Sequence, residues 1–442
     1  MRRWSVLPTS FWCLWVAWFA IVSISPSSAQ QMSNLDRERA ETMLQVVTSD
    51  IRKNYYDPKL HGLNWDTLVG EAKQKIEKEN SYNMSVAHIA AVLDGLNDSH
   101  TFLVPPQHSY KQEYGWRFQM IGDRCFVVRV KPQTDAESKG VKPGDEILAI
   151  NGHAPDRDTA WKIQYVYNVL RPQPGLRLNL KDPAGTERQV DVMADVKEKL
   201  RVRDLTGGNV WDYVRDLENE RRLMRYRYVE MGDDVMILKF PAFLYTQSEV
   251  QDIIGRARKR RSLIVDLRGN PGGSVETLKW MVGGMFDHEV KVADLVTKDS
   301  TKPMLAKPFG NDGFTGKIVV LIDSGSASAA ELFARVMQLE KRGIVIGDRS
   351  SGSVMEARRL SYKMGSGTML FYGASITEAD LRMTDGNSLE HTGVLPDELI
   401  VPTGGDLAAG RDPVLAHAVR VLGGKLSPES AGKLFPYEWP RE

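Results

Sequence analysis

The sequence predicts a multidomain α+β protein: a helical N-terminal region, a β domain of short strands, and an α/β core whose parallel strands feed helices. Three patterns predict it. Between residues 33 and 96 apolar residues recur at helical spacing, most cleanly at Val86, Ile89, Ala90, Leu93 and Leu96. From Tyr114 to about Val196, short apolar strands alternate with turns rich in Gly, Pro and Asn. From Asp234 onward, unbroken apolar runs are each followed by small turn residues and then a helical pattern, as in a sheet buried on both faces.

Residues 1–29 read as an export signal. Arg2 and Arg3 precede an apolar stretch over residues 11–24, too short for a comfortable membrane span, and Ser27, Ser28 and Ala29 supply a cleavage site. The expected destination is periplasmic or extracellular, with an uncleaved anchor as the alternative and no other membrane span. Removing the signal takes Cys13 with it and leaves Cys125 alone, so no intrachain disulfide can form. Lysine plus arginine (58) balance aspartate plus glutamate (57), which argues against nucleic acid or an anionic membrane as partner. The basic run at residues 256–261 reads as a helix C-terminus matched to its dipole. No Cys/His cluster has metal-ligand spacing and no Gly-rich loop has a phosphate-cradling pattern, so neither metal nor cofactor is implied.

The expected divisions are a helical region at 30–105, a β domain at 106–200, a charged connector at 201–230, the core at 231–425 and a tail at 426–442. In the helical region, His100 sits on a short loop, Asn97-Asp98-Ser99-His100, between a helix and an extended segment. The centre of the core is the stretch 318–347. Residues 318–322 form a buried strand, residues 323–326 a turn, and a helix starts at Ala329. Its expected inner face is Leu332, Phe333, Val336 and Met337, and its outer face Glu331, Arg335 and Gln338. Ser328 therefore stands at a helix mouth, where unpaired N–H groups can stabilise an oxyanion. A plain N-cap at Ser326 or Ser328 fits the same residues. An earlier strand, residues 263–267, ends in Arg268-Gly269-Asn270-Pro271-Gly272-Gly273, a turn whose N–H groups can face a ligand.

The segment GVKPGDEILAINGH, residues 140–153, resembles the PDZ domain. That resemblance implies a groove for an extended peptide ending in a free carboxylate, with the cradling loop at Tyr114-Gly115-Trp116-Arg117-Phe118. The loop has one glycine where the family usually has two. Together with DLRGNPGG and GSASAAE, in that order, residues 33–422 resemble the C-terminal processing, or tail-specific, serine peptidases, which have an α/β crotonase-like core. The resemblance implies Ser328 as nucleophile and an oxyanion hole made by the N–H of Ala329 with that of Gly272 or Gly273. One departure matters. Better-known members carry a base lysine where this chain has Ser353, and a glutamine shortly beyond is missing too.

The tricorn-like branch of the superfamily supplies a different base. Its members carry a Ser-His pair, matched here by Ser99-His100, and a late glutamate, matched by Glu390 in a Glu-x-x-Gly-Val-x-Pro-Asp ending. The implied chemistry is peptide hydrolysis through an acyl-enzyme on Ser328, with His100 as general base and Glu390 and Ser99 orienting it. His391 is an alternative base. The implied partners are proteins or peptides, recruited through free C-termini, and a homo-oligomer is compatible. A reading from another class is a non-catalytic secreted protein that binds peptides or apolar ligands.

Overall fold

The computed structural model describes residues 32–108, 110–198, 222–365 and 369–440. The expected export signal and most of the expected connector lie outside the described residues. Among the described residues, no helix is long and apolar enough to cross a membrane.

Three helices open the described chain: α1 (Asn34–Asn54), α2 (Trp65–Lys78) and α3 (Tyr82–Asp94). Each starts at a side-chain cap, Ser33, Asn64 and Ser81, which satisfies an otherwise orphan N–H. Their apolar faces bury Met43, Val47, Ile51, Ile76, Ile89 and Leu93. The strand β1 (Phe102–Val104) follows α3 across the His100 loop.

The β domain begins with β2 (Tyr110–Glu113), β3 (Trp116–Ile121), β4 (Arg124–Val130), α4 (Asp135–Ser138) and β5 (Glu146–Ile150). It closes with α5 (Ala160–Tyr165), β6 (Gly175–Lys181), β7 (Glu187–Met193) and β8 (Asp195–Glu198). Five of these strands make an antiparallel sheet in the order β3-β4-β5-β6-β7, with β3 at one edge. Strands β2 and β8 pair as a separate ribbon where the chain enters and leaves.

The core contains β9 (Arg227–Met231), β10 (Val235–Lys239), α6 (Gln247–Ala257), β11 (Ser262–Asp266) and α7 (Val275–Gly283). It continues with β12 (Val290–Val296), β13 (Thr301–Ala306), β14 (Lys317–Ile322), α8 (Ala329–Leu339) and β15 (Ile344–Gly347). The last elements are β16 (Met355–Met364), β17 (Leu370–Arg382), β18 (Glu398–Leu399), α9 (Gly404–Ala408), α10 (Pro413–Val421) and α11 (Pro428–Leu434). The central sheet runs β18-β15-β14-β11-β10-β9, parallel except for β9. Its strands are apolar on both faces because both faces are covered. Val320 and Ile322 pack with Leu332 and Phe333 of α8, while Val319 and Leu321 pack with Val414, Leu415 and Val419 of α10.

Two expected boundaries shift. Residues 227–230, assigned to the connector, belong to the edge strand β9 because they pair with β10. Part of the expected tail is α11, whose Ala431 is buried on the outer cluster of the sheet.

A second sheet joins the core to the N-terminal region. Strand β17 pairs with β16 along its length, and on its other side with β1 and β12. Leu103, Tyr372, Ala374 and Ile376 of this sheet bury the apolar faces of α1–α3. The loop carrying Ser99 and His100 is thereby fixed to the core.

Candidate active site

Ser328 lies between β14 and α8 with φ 56° and ψ −119°, a region that side chains other than glycine seldom occupy. Such a conformation persists only where the surroundings over-determine it, and here they do. The Ser328 N–H donates both to the carbonyl of Ser353 (2.8 Å) and to Oε2 of Glu331 (2.9 Å). The preceding turn is pinned through Ser326, whose buried hydroxyl donates to the carbonyl of Leu267 (2.9 Å) and accepts the Asp323 N–H (3.0 Å). Ser326 thus ties the turn to β11 and Ser328 occupies the helix mouth.

The Pro271-Gly272-Gly273 turn packs directly on this serine. A methyl group on Gly272 would stand 2.7 Å from Ser328 Cβ and 3.0 Å from the Ala329 nitrogen, and φ there is +93°. Only glycine fits. The two glycines differ in what their N–H groups do. That of Gly272 donates to Oδ1 of Asn270 (2.8 Å), whose own amide is fixed by the carbonyl of Phe240 (2.7 Å). Those of Gly273 and Ala329 donate to no group among the described residues.

His100 is positioned from both sides. The buried carboxylate of Asp98 accepts the N–H groups of His100 (2.7 Å) and Thr101 (2.9 Å) and the Thr377 hydroxyl (2.7 Å), which shapes the loop. Glu390 reaches the loop from 291 positions away: Oε1 accepts the Ser99 N–H and Oε2 the Ser99 hydroxyl, both at 2.8 Å. The same Oε2 accepts the Val354 N–H (2.8 Å). The Ser99 hydroxyl has one proton and gives it to Glu390. Its lone pairs therefore accept from Nδ1 of His100, 2.8 Å away, and Nε2 is left as the basic nitrogen. Burial pushes His100 below the usual histidine value, with Glu390 and Asp98 pulling the other way and Arg359 adding to the drop.

The two halves meet at Ser353 and Val354. The first receives the Ser328 N–H and the second donates to Glu390. No hydrogen bond joins Ser328 to His100 among the described residues, a looseness common in free enzymes before substrate binds. His391, the alternative base, is half exposed, and its Nε2 lies 2.9 Å from the carbonyl of Asn97. A carbonyl only accepts, so that nitrogen carries a proton and cannot take one.

Glu331 is the residue that helical spacing misplaces. Expected on the outer face of α8, it is fully buried under residues 350–353. Two traces of that stand in the sequence: the Ser-x-x-Glu spacing of Ser328 and Glu331, which turns the carboxylate back onto the Ser328 N–H, and the run of donors at Ser350, Gly352 and Ser353.

Beside residues 114–118, between β3 and α5, lies a cavity of about 140 Å³ lined by Tyr114, Trp116, Arg117 and Phe118 with Ile163 and Leu176 among others. Gly115 does not line it. Its φ of +74° and its contact with Thr134, which a methyl would approach to 2.7 Å, make it the turn that delivers β3. Arg117 is exposed, with its guanidinium 5.7 Å from the ring centre of Trp439. The indole nitrogen of Trp116 is buried without a hydrogen-bond partner.

The β domain is bolted to the core beside the Ser328 turn. Arg157 donates to the carbonyls of Gly122 (2.8 Å) and Arg349 (3.0 Å) and to Oδ2 of Asp348 (2.7 Å), which also accepts the Gly122 N–H (2.8 Å).

Peptidase family S41 matches residues 234–400. The tail-specific protease of Haemophilus influenzae is 23% identical over 370 residues, covering 76% of this chain and 50% of that protein. The carboxy-terminal processing protease CtpA of Bacillus subtilis is 26% identical over 325 residues, covering 70% and 62%. A tricorn protease homolog of Streptomyces coelicolor is 25% identical over 402 residues, covering 84% and 31%. The chain thus spans between 31% and 62% of the length of these three relatives. Among solved structures, mature CPAF complexed with lactacystin shares the fold with a TM-score of 0.63 at 17% identity, covering 85% of this chain and 96% of that one. The photosystem II D1 C-terminal processing protease does so with a TM-score of 0.53 at 18% identity, covering 90% and 99%. The similarity to peptidase family S41 spans residues 234–400, the segment that carries Ser328, the Gly272-Gly273 turn and Glu390.

Proposed function

We propose that the protein is an exported serine endopeptidase that cleaves polypeptides near their C-termini through an acyl-enzyme on Ser328. The observation that carries this reading is the hydrogen-bond chain from Glu390 through Ser99 to His100, joined through Ser353 and Val354 to the strained Ser328 turn. Nε2 of His100 takes the Ser328 proton as the hydroxyl attacks the peptide carbonyl, and returns it to the leaving amine. Ser99 holds the ring, and Glu390 offsets the positive charge that develops on it. The N–H groups of Ala329 and Gly273 receive the oxyanion, since that of Gly272 is engaged by Asn270. Water then releases the acyl group by the same proton transfers.

The β domain is PDZ-like and takes the substrate terminus along β3, next to the Arg117 and Phe118 side chains. The test uses a fluorophosphonate probe and an unfolded protein substrate. Parent chain should be labelled and should cut; Ser328→Ala should do neither. A parent that stays unlabelled and inert, yet binds peptide, would mean a binding protein on this fold.

A further inference from the structure

We propose that Glu331 is a positioning residue for the Ser328 reaction: its buried carboxylate locks the nucleophile's main chain and residues 350–353 into one unit. The inference rests on Ser328 being the nucleophile. Four donors converge on Glu331. Oε2 accepts the N–H groups of Ser328 (2.9 Å) and Ser353 (3.0 Å), and Oε1 accepts the N–H of Gly352 (2.7 Å) and the Ser350 hydroxyl (2.6 Å). The site contains donors alone, and an ionised carboxylate is the side chain with acceptors alone. A glutamine of equal size would turn an NH2 group toward two of those donors.

What these bonds hold is the unusual backbone of Ser328, whose orientation also sets where the Ala329 N–H points. They hold the base side as well. The Ser350 hydroxyl accepts the Val394 N–H (2.6 Å) and the Gly352 carbonyl accepts the His391 N–H (2.8 Å), so the same loop braces the segment carrying Glu390. Burial pushes the Glu331 carboxyl up to about 7 although all four donors pull it down. Assays above pH 8 therefore have it ionised.

Glu331→Gln is compared with parent and Ser328→Ala by peptide turnover, fluorophosphonate labelling rate and circular dichroism. Labelling of the parent but not of Ser328→Ala establishes the nucleophile first; its absence overturns the reading on which this inference rests. Given that labelling, Glu331→Gln should lower kcat about ten- to a hundredfold and slow labelling in parallel, with KM within about twofold. Parental kcat and labelling, or a raised KM at unchanged kcat, overturns the role of Glu331 alone. Should Glu331→Gln not fold, Ser350→Ala decides. A kcat about three- to tenfold lower at unchanged KM supports the role, and a parental kcat overturns it.

Discussion

In the proposed mechanism the Ser328 turn and the His100 loop do complementary jobs, and they are built by opposite constructions. The first is local: strand, turn and helix are contiguous, and its brace, Glu331, is three residues away. The second is assembled. Its loop belongs to the N-terminal region, its orienting carboxylate comes from 291 positions later, and its backbone is shaped by Asp98 together with Thr377 of β17. A nucleophile needs a strained, invariant geometry, which a buried helix start delivers. A base must meet both substrate and nucleophile, so it can arrive from elsewhere on the fold.

If that division holds, damage to the local half should be the more severe. Ser328→Ala should lower turnover by on the order of ten-thousandfold or more while leaving the melting temperature near the parental value. Ser326→Ala should do the reverse, costing about 1–2 kcal/mol of stability for its buried hydrogen bonds in thermal denaturation and little turnover. His100→Ala should cost on the order of a thousandfold in kcat with peptide affinity unchanged; near-parental turnover would break the comparison at its base half.

Acid should strike both halves. On the proposed mechanism, protonating Glu331, whose carboxyl is pushed up to about 7, should loosen the nucleophile's backbone, and protonating His100, held below the usual histidine value, should remove the base. Activity should thus fall with decreasing pH more steeply than one titrating group allows, and Glu331→Gln should leave only the lower step. A single-group profile in the parent would mean that one of these protonations has no effect.

Glu390→Gln should cost about ten- to a hundredfold in kcat, since Ser99 keeps an acceptor but the imidazolium loses its counter-charge. The smallest effect belongs outside both halves. Converting a peptide's terminal carboxylate to an amide should weaken binding by about threefold to tenfold, read by fluorescence anisotropy. Equal binding across several peptides would show that the groove beside Arg117 does not read the terminus.

The same contrast explains what could be read in advance. The buried run at residues 318–322 and the helix after it are local patterns, and both formed where expected. Ser99, His100 and Glu390 carry no local signal that joins them; only resemblance to a known family brought them together, and the hydrogen bonds then supplied the geometry. Periodicity misjudged Glu331 because a helical wheel knows the inner face of its own sheet, not a loop folded over the other side. The choice between Gly272 and Gly273 depended on Asn270, whose side chain turns back on its own loop. No alternation pattern encodes that.

The joint at Arg157 bears on modularity. Asp348 receives its outer partners, Arg157 and the Gly122 N–H, from the β domain, while two residues later Ser350 is gripped from within by Glu331. Residues 348–353 are thus clamped at both ends, one clamp belonging to each domain. Excising the β domain would leave Asp348 facing water and the segment that receives the Ser328 N–H tethered at one end only. A chain trimmed of its β domain would keep its central sheet and the side chains of Ser328, His100 and Glu390 and, on the proposed mechanism, still be a poor catalyst. On the proposed mechanism, the working unit of this chain includes the β domain, because one of the two clamps on residues 348–353 comes from it.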